Sequence, residues 1–428
     1  MLGRRLGRSP LVRNTGWLTL AQGGKLLVQA AYFVVVARAL GARGFGAFAA
    51  ALALVSILAP FAALGTGNLL VMHVARRPEE FARRFGNALV AIPLAGVPLL
   101  GLVLLLRAAA VPGLSVRLVL ALGIAELFLS RLVDTAGQAF QAYERMLATA
   151  LLSVLAPVLR LGAGIAFVSV AARRPESWAL WYLGATAVAA ALALAVAVRL
   201  LGRPRPSRTL DLRELPTGAA FSLAQSSASI YTDIDKTMLA RLGSLGAAGI
   251  YAAAYRATAM AFVPVISLLQ ACYARFFRHG EDGIRGTLGF ARRLLPFALA
   301  YGAAASLVLF AAAPLAPLVL GRDFAASTGA LRWLAALPLI QALYYLAGDT
   351  LTGAGRQGLR SVVQLAAAAL NVGLNLLLIP AYGWQGAAWA TLASLGFLAA
   401  ALWAAVAVLV RPASSDPVRH ESPRLASV

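Results

Sequence analysis

Cysteine, histidine, lysine and acidic residues are all scarce in this chain, and each scarcity removes a class of chemistry. The single cysteine, Cys272, has no second thiol for an intrachain disulfide or a dithiol reaction, so it is expected to act as a small apolar packing residue. The three histidines, His73, His279 and His420, stand in or near connectors far apart in the chain and form no metal-ligand pattern. No glycine-rich phosphate loop ending in Gly-Lys-Ser/Thr and no dinucleotide fingerprint precedes a helical run, so neither ATP hydrolysis nor a bound cofactor is expected. Charged residues make up 13% of the sequence, about half the share in a soluble domain. The formal charge of +22 points toward nucleic acid when read alone. The arginines, however, lie in short connectors between apolar runs and not along one solvated face, which excludes that partner. A membrane polysaccharide polymerase or ligase would need an acid, base or nucleophile displayed at the surface, and the connectors on one side of the chain are short and nearly devoid of such groups.

What fills the sequence instead is apolar: 61% of its 428 residues are hydrophobic. Runs of about twenty residues, each long enough to cross a hydrocarbon core of about 30 Å, are expected at 15–37, 46–70, 88–106, 118–138, 149–170 and 178–198, and again at 216–239, 250–272, 294–313, 331–352, 361–379 and 385–410. The first follows Arg4, Arg5, Arg8 and Arg13 as a signal peptide would, but it is too long and continues into another span, so it reads as an uncleaved helix. Connectors on one side of these spans, including both termini, carry 24 of the 36 arginines, which directs that side to the cytoplasm. The expected fold is all-α: a polytopic membrane protein of twelve transmembrane helices in two six-helix lobes, 1–200 and 216–410. A cytoplasmic linker, 201–215, joins them, and a tail, 411–428, is expected to be disordered. A shift of 203 residues lays Leu20-Ala21-Gln22 on Leu223-Ala224-Gln225, Ala37-Arg38 on Ala240-Arg241, and Gly46 on Gly249. Copies of six helices enter the membrane in the same orientation and are related by an axis along its normal, an arrangement that puts a transporter's site between the halves.

Polar residues inside the spans point to that site, because a charge in hydrocarbon costs several kcal/mol unless it meets a partner, water or a cavity. In the first helix Thr15, Thr19, Gln22, Lys25, Gln29 and Tyr32 fall at helical spacing on one face. The seventh repeats the pattern with Ser222, Ser226, Ser229, Asp233 and Lys236, with Gln225 and Asp235 beside it. Two readings remain open for these stripes: walls of a wet cavity, or polar seams packed against neighbouring helices. Asp233 and Lys236, three residues apart, are placed to pair with each other. Only two of the 38 basic residues are lysines, and both, Lys25 and Lys236, lie in these two helices. Other spans carry Arg131 with Glu126 and Asp134, Arg160 with no acid in its own helix, Arg256 beside Tyr255, Asp349 with Gln341 and Tyr345, and Gln364 with Asn371 and Asn375. The excess of buried cation calls for an anionic ligand. A carboxylate in a partly dry site is also a candidate proton carrier, which makes Asp233, Asp235 and Asp349 candidates for ion coupling.

Three segments resemble a known family, the Wzx-type oligosaccharide flippases of the multidrug/oligosaccharidyl-lipid/polysaccharide exporter superfamily. FVVVARALGARGFGAFAAALALVSILAPFAALGTGN (33–68) is similar to that family's first hairpin, YTDIDKTMLARLGSLGAAGIYAAAYRA (231–257) to its seventh and eighth helices, and NVGLNLLLIPAYGWQGAAWATLAS (371–394) to its last two. The resemblance implies a V-shaped, MATE-like pair of lobes around a basic cavity in a bacterial inner membrane, with alternating access. The substrate it implies is an undecaprenyl-diphosphate-linked oligosaccharide for O-antigen, capsule or exopolysaccharide, and a polysaccharide polymerase is the expected partner beside membrane lipid. The family's intramembrane cations map by helix position onto Lys25, Lys236 and Arg256 as diphosphate ligands; Arg160 joins them on its burial alone. Gln22, Gln29, Asn371 and Asn375 are the expected sugar contacts. The rival readings are a peptidoglycan-precursor flippase and a cation-coupled multidrug exporter of the same fold; the second would want an acidic or apolar cavity.

Overall fold

The computed structural model of the chain describes residues 10–169, 173–207 and 215–410, and every regular element in them is a helix. Helix α1 (Pro10–Ala62) is two arms joined at Gly41, whose φ of 65° is open to glycine at little cost. The chain turns back there, and Phe33 of the first arm meets Phe45 of the second with ring centroids 5.5 Å apart. Helix α2 (Thr66–Val74) continues the second arm, followed by α3 (Phe81–Ala110). The next crossing is built of α4 (Val116–Ile124), a π-helical turn (Ala125–Leu129) and α5 (Ser130–Ala142). Helices α6 (Met146–Val168) and α7 (Pro175–Leu201) complete the first half. The second half holds α8 (Leu215–Leu242), α9 (Leu245–His279), α10 (Gly283–Ala312), the short α11 (Ala316–Leu320), α12 (Ser327–Leu334) with α13 (Leu337–Gly353), α14 (Gln357–Tyr382) and α15 (Trp384–Val410).

Among the described residues, nine helical segments are long and apolar enough to cross a membrane, one of them holding both arms of α1. The two crossings that complete a set of twelve, α4 to α5 and α8, are the ones interrupted by polar and charged side chains. Helix ends overrun the apolar runs where the sequence stays compatible with helix. The connector expected at 273–293 is mostly helical: α9 carries Arg275 and Arg278 on to His279, and α10 starts at Gly283, φ 69°. Apolarity marks the depth of the bilayer, and a helix ends only where its backbone is broken. The expected tail 411–428 and about half of the linker, 208–214, lie outside the described residues.

The exterior is as apolar as the interior. Leu105, Leu307 and Leu377 are 70% or more exposed, as a lipid-facing surface requires. Inside, Trp178, Phe45 and Phe48 knit the first half, and Tyr251, Tyr344 and Leu398 the second; Cys272 is buried among apolar side chains.

The seam between the halves is where α1 meets α8 and α9. Gly46 and Gly249, equivalent under the 203-residue shift, face one another there. A Cβ on Gly46 would lie 1.8 Å from the Leu245 carbonyl oxygen, and one on Gly249 1.9 Å from that of Ala42. The two backbones touch because neither residue has a side chain. Gly249→Val is therefore expected to force this end of the seam apart. Spin labels on the exposed positions Arg43 and Arg241 should report a separation longer by several ångström; an unchanged distance would show that the contact does not hold the seam shut. Further along, α8 hydroxyls donate to α1 carbonyls: Ser226 Oγ to Ile57 (2.6 Å), Ser222 Oγ to Pro60 (3.0 Å) and Thr237 Oγ1 to Ala50 (3.2 Å). The polar stripe of α8 thus divides, with Ser222 and Ser226 in the seam and Asp233 and Lys236 at the cavity below.

Candidate functional site

A cavity of about 400 Å³ opens along this seam, walled by α1, the π-helical turn, α6, α7, α8 and α9. Its first-half wall is organised around Glu126. The π-helical turn inserts an extra residue per turn and re-aims the side chains that follow, a device common at functional sites. Three donors converge on Glu126 Oε1: Tyr182 OH at 2.6 Å, Arg160 Nη2 at 2.9 Å and Ser130 Oγ at 3.0 Å. Arg160 also donates from Nε to Thr186 Oγ1 (3.1 Å) and from Nη2 to Ser130 Oγ (2.9 Å), and its guanidinium carbon lies 4.0 Å from the Tyr182 ring centroid. Arg160 therefore has an acid after all, contributed by the neighbouring crossing, and only Nη1 is uncommitted among the described residues.

The second-half wall is organised around Lys236. Its ammonium donates to Asp233 Oδ1 (2.5 Å) and to the Thr232 carbonyl (2.9 Å), and it sits 4.6 Å from the Tyr255 ring centroid. Ser56 Oγ of α1 reaches Asp233 Oδ2 across the seam at 3.3 Å. The pairing of Asp233 with Lys236 that the three-residue spacing allowed is present. Between these two walls stands Arg256, half-buried and lining the cavity, with no hydrogen bond or ion pair among the described residues. The Tyr32 hydroxyl, also in the wall, is buried and has no hydrogen-bond partner there. Gln29 lies one turn away on the same arm. The lining thus holds three cations against two acids, and the uncompensated cation faces an unused phenol. That combination suits an anion that accepts several hydrogen bonds.

The structure brings Gln29, Arg160, Asp233, Lys236 and Arg256 together in one cavity. It keeps the other expected site residues apart. Lys25 is half-buried one turn from Gln29 on the same arm and is not in the cavity wall. The side chain of Gln22, with those of Thr15 and Thr19, lies outside the described residues. Asn371, Asn375 and Asp235 form a separate buried network between α8, α9, α14 and α15. Asp235, fully buried, accepts from Asn375 Nδ2 (2.6 Å), Tyr251 OH (2.6 Å) and Thr391 Oγ1 (2.8 Å). Asn375 Nδ2 reaches Asn371 Oδ1 at 3.0 Å, and Asn371 donates to Ser394 Oγ at 3.1 Å. The two asparagines are thereby committed to protein groups. Asp349 pairs with Arg360 at 3.1 Å, and Arg131 with Asp134, also at 3.1 Å.

Tyr182, Thr186 and Ser56 escaped the sequence reading. A tyrosine or hydroxyl in an apolar run is ordinary, and what marks these is the charge each meets on another helix.

The chain matches the family model described as polysaccharide biosynthesis protein over residues 11–279. Among solved structures it is similar to an inward-facing multidrug resistance MATE family transporter of the MOP superfamily, with a TM-score of 0.73 and 14% identity over 90% of this chain and 94% of that one. The lipid II flippase MurJ, in an inward closed conformation, gives 0.70 at 12% identity over 91% and 87%. A MOP superfamily transporter from Pyrococcus furiosus, described by the reverse polarity of its binding pocket, gives 0.65 at 15% identity over 95% and 97%. At these identities the likeness is one of fold: a multi-pass, all-α, MATE-like bundle. No curated protein sequence matches the chain significantly.

Proposed function

The chain belongs to the polysaccharide biosynthesis protein family of MOP-superfamily transporters, and from that premise we propose that it flips an undecaprenyl-diphosphate-linked oligosaccharide across the bacterial inner membrane. The observation that carries this reading is the uncompensated Arg256 in a cavity that opens on the seam between the lobes. A diphosphate is dianionic or more and rich in acceptor oxygens. Arg256, the free edge of Arg160, the Tyr32 hydroxyl and the Gln29 amide supply donors for it, while Lys236 and Lys25 add positive potential. The prenyl tail stays in lipid through the gap between helices. A cationic drug would meet the wrong sign of charge in this cavity. The peptidoglycan precursor shares the diphosphate; family membership, and not the cavity, favours a polysaccharide repeat unit over it.

Coupling falls to Asp235 in this reading. Asp233 and Asp349 each have a cation in contact, whereas the side-chain donors to Asp235 are all neutral. Its network ties α8 to α9, α14 and α15, so a proton exchanged at this carboxylate is felt across all four helices.

Competition binding in lipid nanodiscs tests the proposal. Undecaprenyl diphosphate should bind, its binding should weaken steeply with salt, and a cationic dye such as ethidium should compete poorly for the site. Tight ethidium binding with none of the diphosphate would overturn it.

A further inference from the structure

A second polar cavity, of about 300 Å³, lies further along the same seam, toward the end of the bundle that carries Arg76, Arg77, Arg83 and Arg84. Its chemistry differs from that of the first. The walls present the amides of Asn68, Gln138, Gln141 and Gln225, from α2, α5 and α8, with the hydroxyls of Thr149 and Ser153 from α6. The two hydroxyls donate to backbone carbonyls, Thr149 to Gly137 (3.3 Å) and Ser153 to Ala150 (2.7 Å), but the amides are largely unspent. Gln138 Nε2 makes one long contact to Asn68 Oδ1 at 3.4 Å, and the Gln141 and Gln225 amides make none among the described residues. At the rim Arg131 is neutralised by Asp134, leaving a buried Nε without a partner. The pocket is therefore neutral, and each amide offers a donor and an acceptor in one plane. That is the complement of a sugar ring, whose hydroxyls both donate and accept, and the volume is in the range of small-ligand sites.

Resting on the flippase reading, we propose that this pocket is a glycan subsite, holding sugars of the substrate beyond its diphosphate. The two cavities are stacked along the helices. Ser56 lines the first and Pro60 the second, one turn apart on α1; Asp233 and Gln225 do the same on α8, eight residues or about 12 Å apart. When the seam parts at the Ser226–Ile57 and Ser222–Pro60 hydrogen bonds, a diphosphate at Arg256 leaves its glycan directed along α8 into the amides, over a spacing longer than one pyranose ring. The pocket thus selects for a glycan of more than one sugar and draws it in from the arginine-rich end, the expected cytoplasmic side.

Gly137 supplies a clean obstruction. It lines the pocket, and a Cβ built on it meets nothing within 4 Å, so Gly137→Leu starts in open space and is expected to take up pocket volume, with a melting temperature in detergent checking that the fold is kept. Gln138→Leu removes one amide at nearly constant volume. Equilibrium binding to the full chain in nanodiscs is compared for undecaprenyl diphosphate and for the same lipid carrying an oligosaccharide drawn from the host's lipid-linked pool. Each variant should weaken the glycan-bearing lipid about tenfold relative to the bare one. Equal effects on the two lipids, or none on either, would overturn the subsite. Arg256→Ala should weaken both lipids alike. If it weakens neither while Gly137→Leu still discriminates, the glycan subsite stands and the diphosphate assignment falls.

Discussion

Arg256→Ala is expected to lower transport of a lipid-linked oligosaccharide by at least about a hundredfold, equivalent to about 3 kcal/mol of lost interaction, with the amount of inserted protein unchanged. Both parts follow from the surroundings of this side chain. It makes no ion pair or hydrogen bond among the described residues, so its removal strands no partner and breaks no packing contact that depends on charge. It is also the cation in the wall with no acid committed to it, so the anion loses its principal counter-charge. Arg256→Lys keeps the charge but loses the planar fork, and partial activity is expected. Lys25→Ala should have a smaller effect, since Lys25 lies one turn outside the cavity wall. Export is read as surface polysaccharide per unit of inserted protein; a rate unchanged in Arg256→Ala would remove the diphosphate from this wall.

Glu126→Leu should act in the opposite manner, through folding. It leaves the Arg160 guanidinium, nearly buried, with hydroxyls and a ring but no carboxylate. Breaking a buried pair from one side costs about 3–5 kcal/mol, whereas replacing both partners by apolar groups is close to neutral. The single variant is expected to melt well below the parent in detergent, and Glu126→Leu combined with Arg160→Met to recover most of the loss. The double variant then reveals what Arg160 does. If it is folded and transports as the parent does, Arg160 braces the wall; if it is folded and inactive, the free Nη1 edge contacts substrate. A single Glu126→Leu that melts with the parent would show that the cluster around Oε1 carries no stability.

The parts of this molecule that were legible in the sequence are those written in one helix at a time. Apolar runs gave the crossings, and the pair Asp233 and Lys236 could be seen because both members lie on α8 within a single turn. What depends on two helices could not be seen. Arg160 has no acid in its own span, and nothing in residues 146–168 indicates that Glu126 reaches it from a π-helical turn. The same limit applies to Asn371 and Asn375. Polar residues at helical spacing on α14 are consistent with a cavity wall, and only the position of Asp235 across the helix interface turns them into a closed internal network. Gly46 and Gly249 show the converse. Their equivalence is plain in the repeat, but a glycine signals close approach without saying to what, and the structure supplies the answer by setting the two against each other.

The most direct measurement is translocation by the purified chain in liposomes, with the lipid-linked oligosaccharide loaded in one leaflet and its arrival in the other read by cleavage with an impermeant glycosidase. The account predicts translocation well above that of protein-free liposomes, lost in Arg256→Ala and dependent on a proton gradient, a dependence that Asp235→Asn abolishes. Translocation no faster than in protein-free liposomes, from a folded protein that instead accumulates a cationic dye, would contradict it.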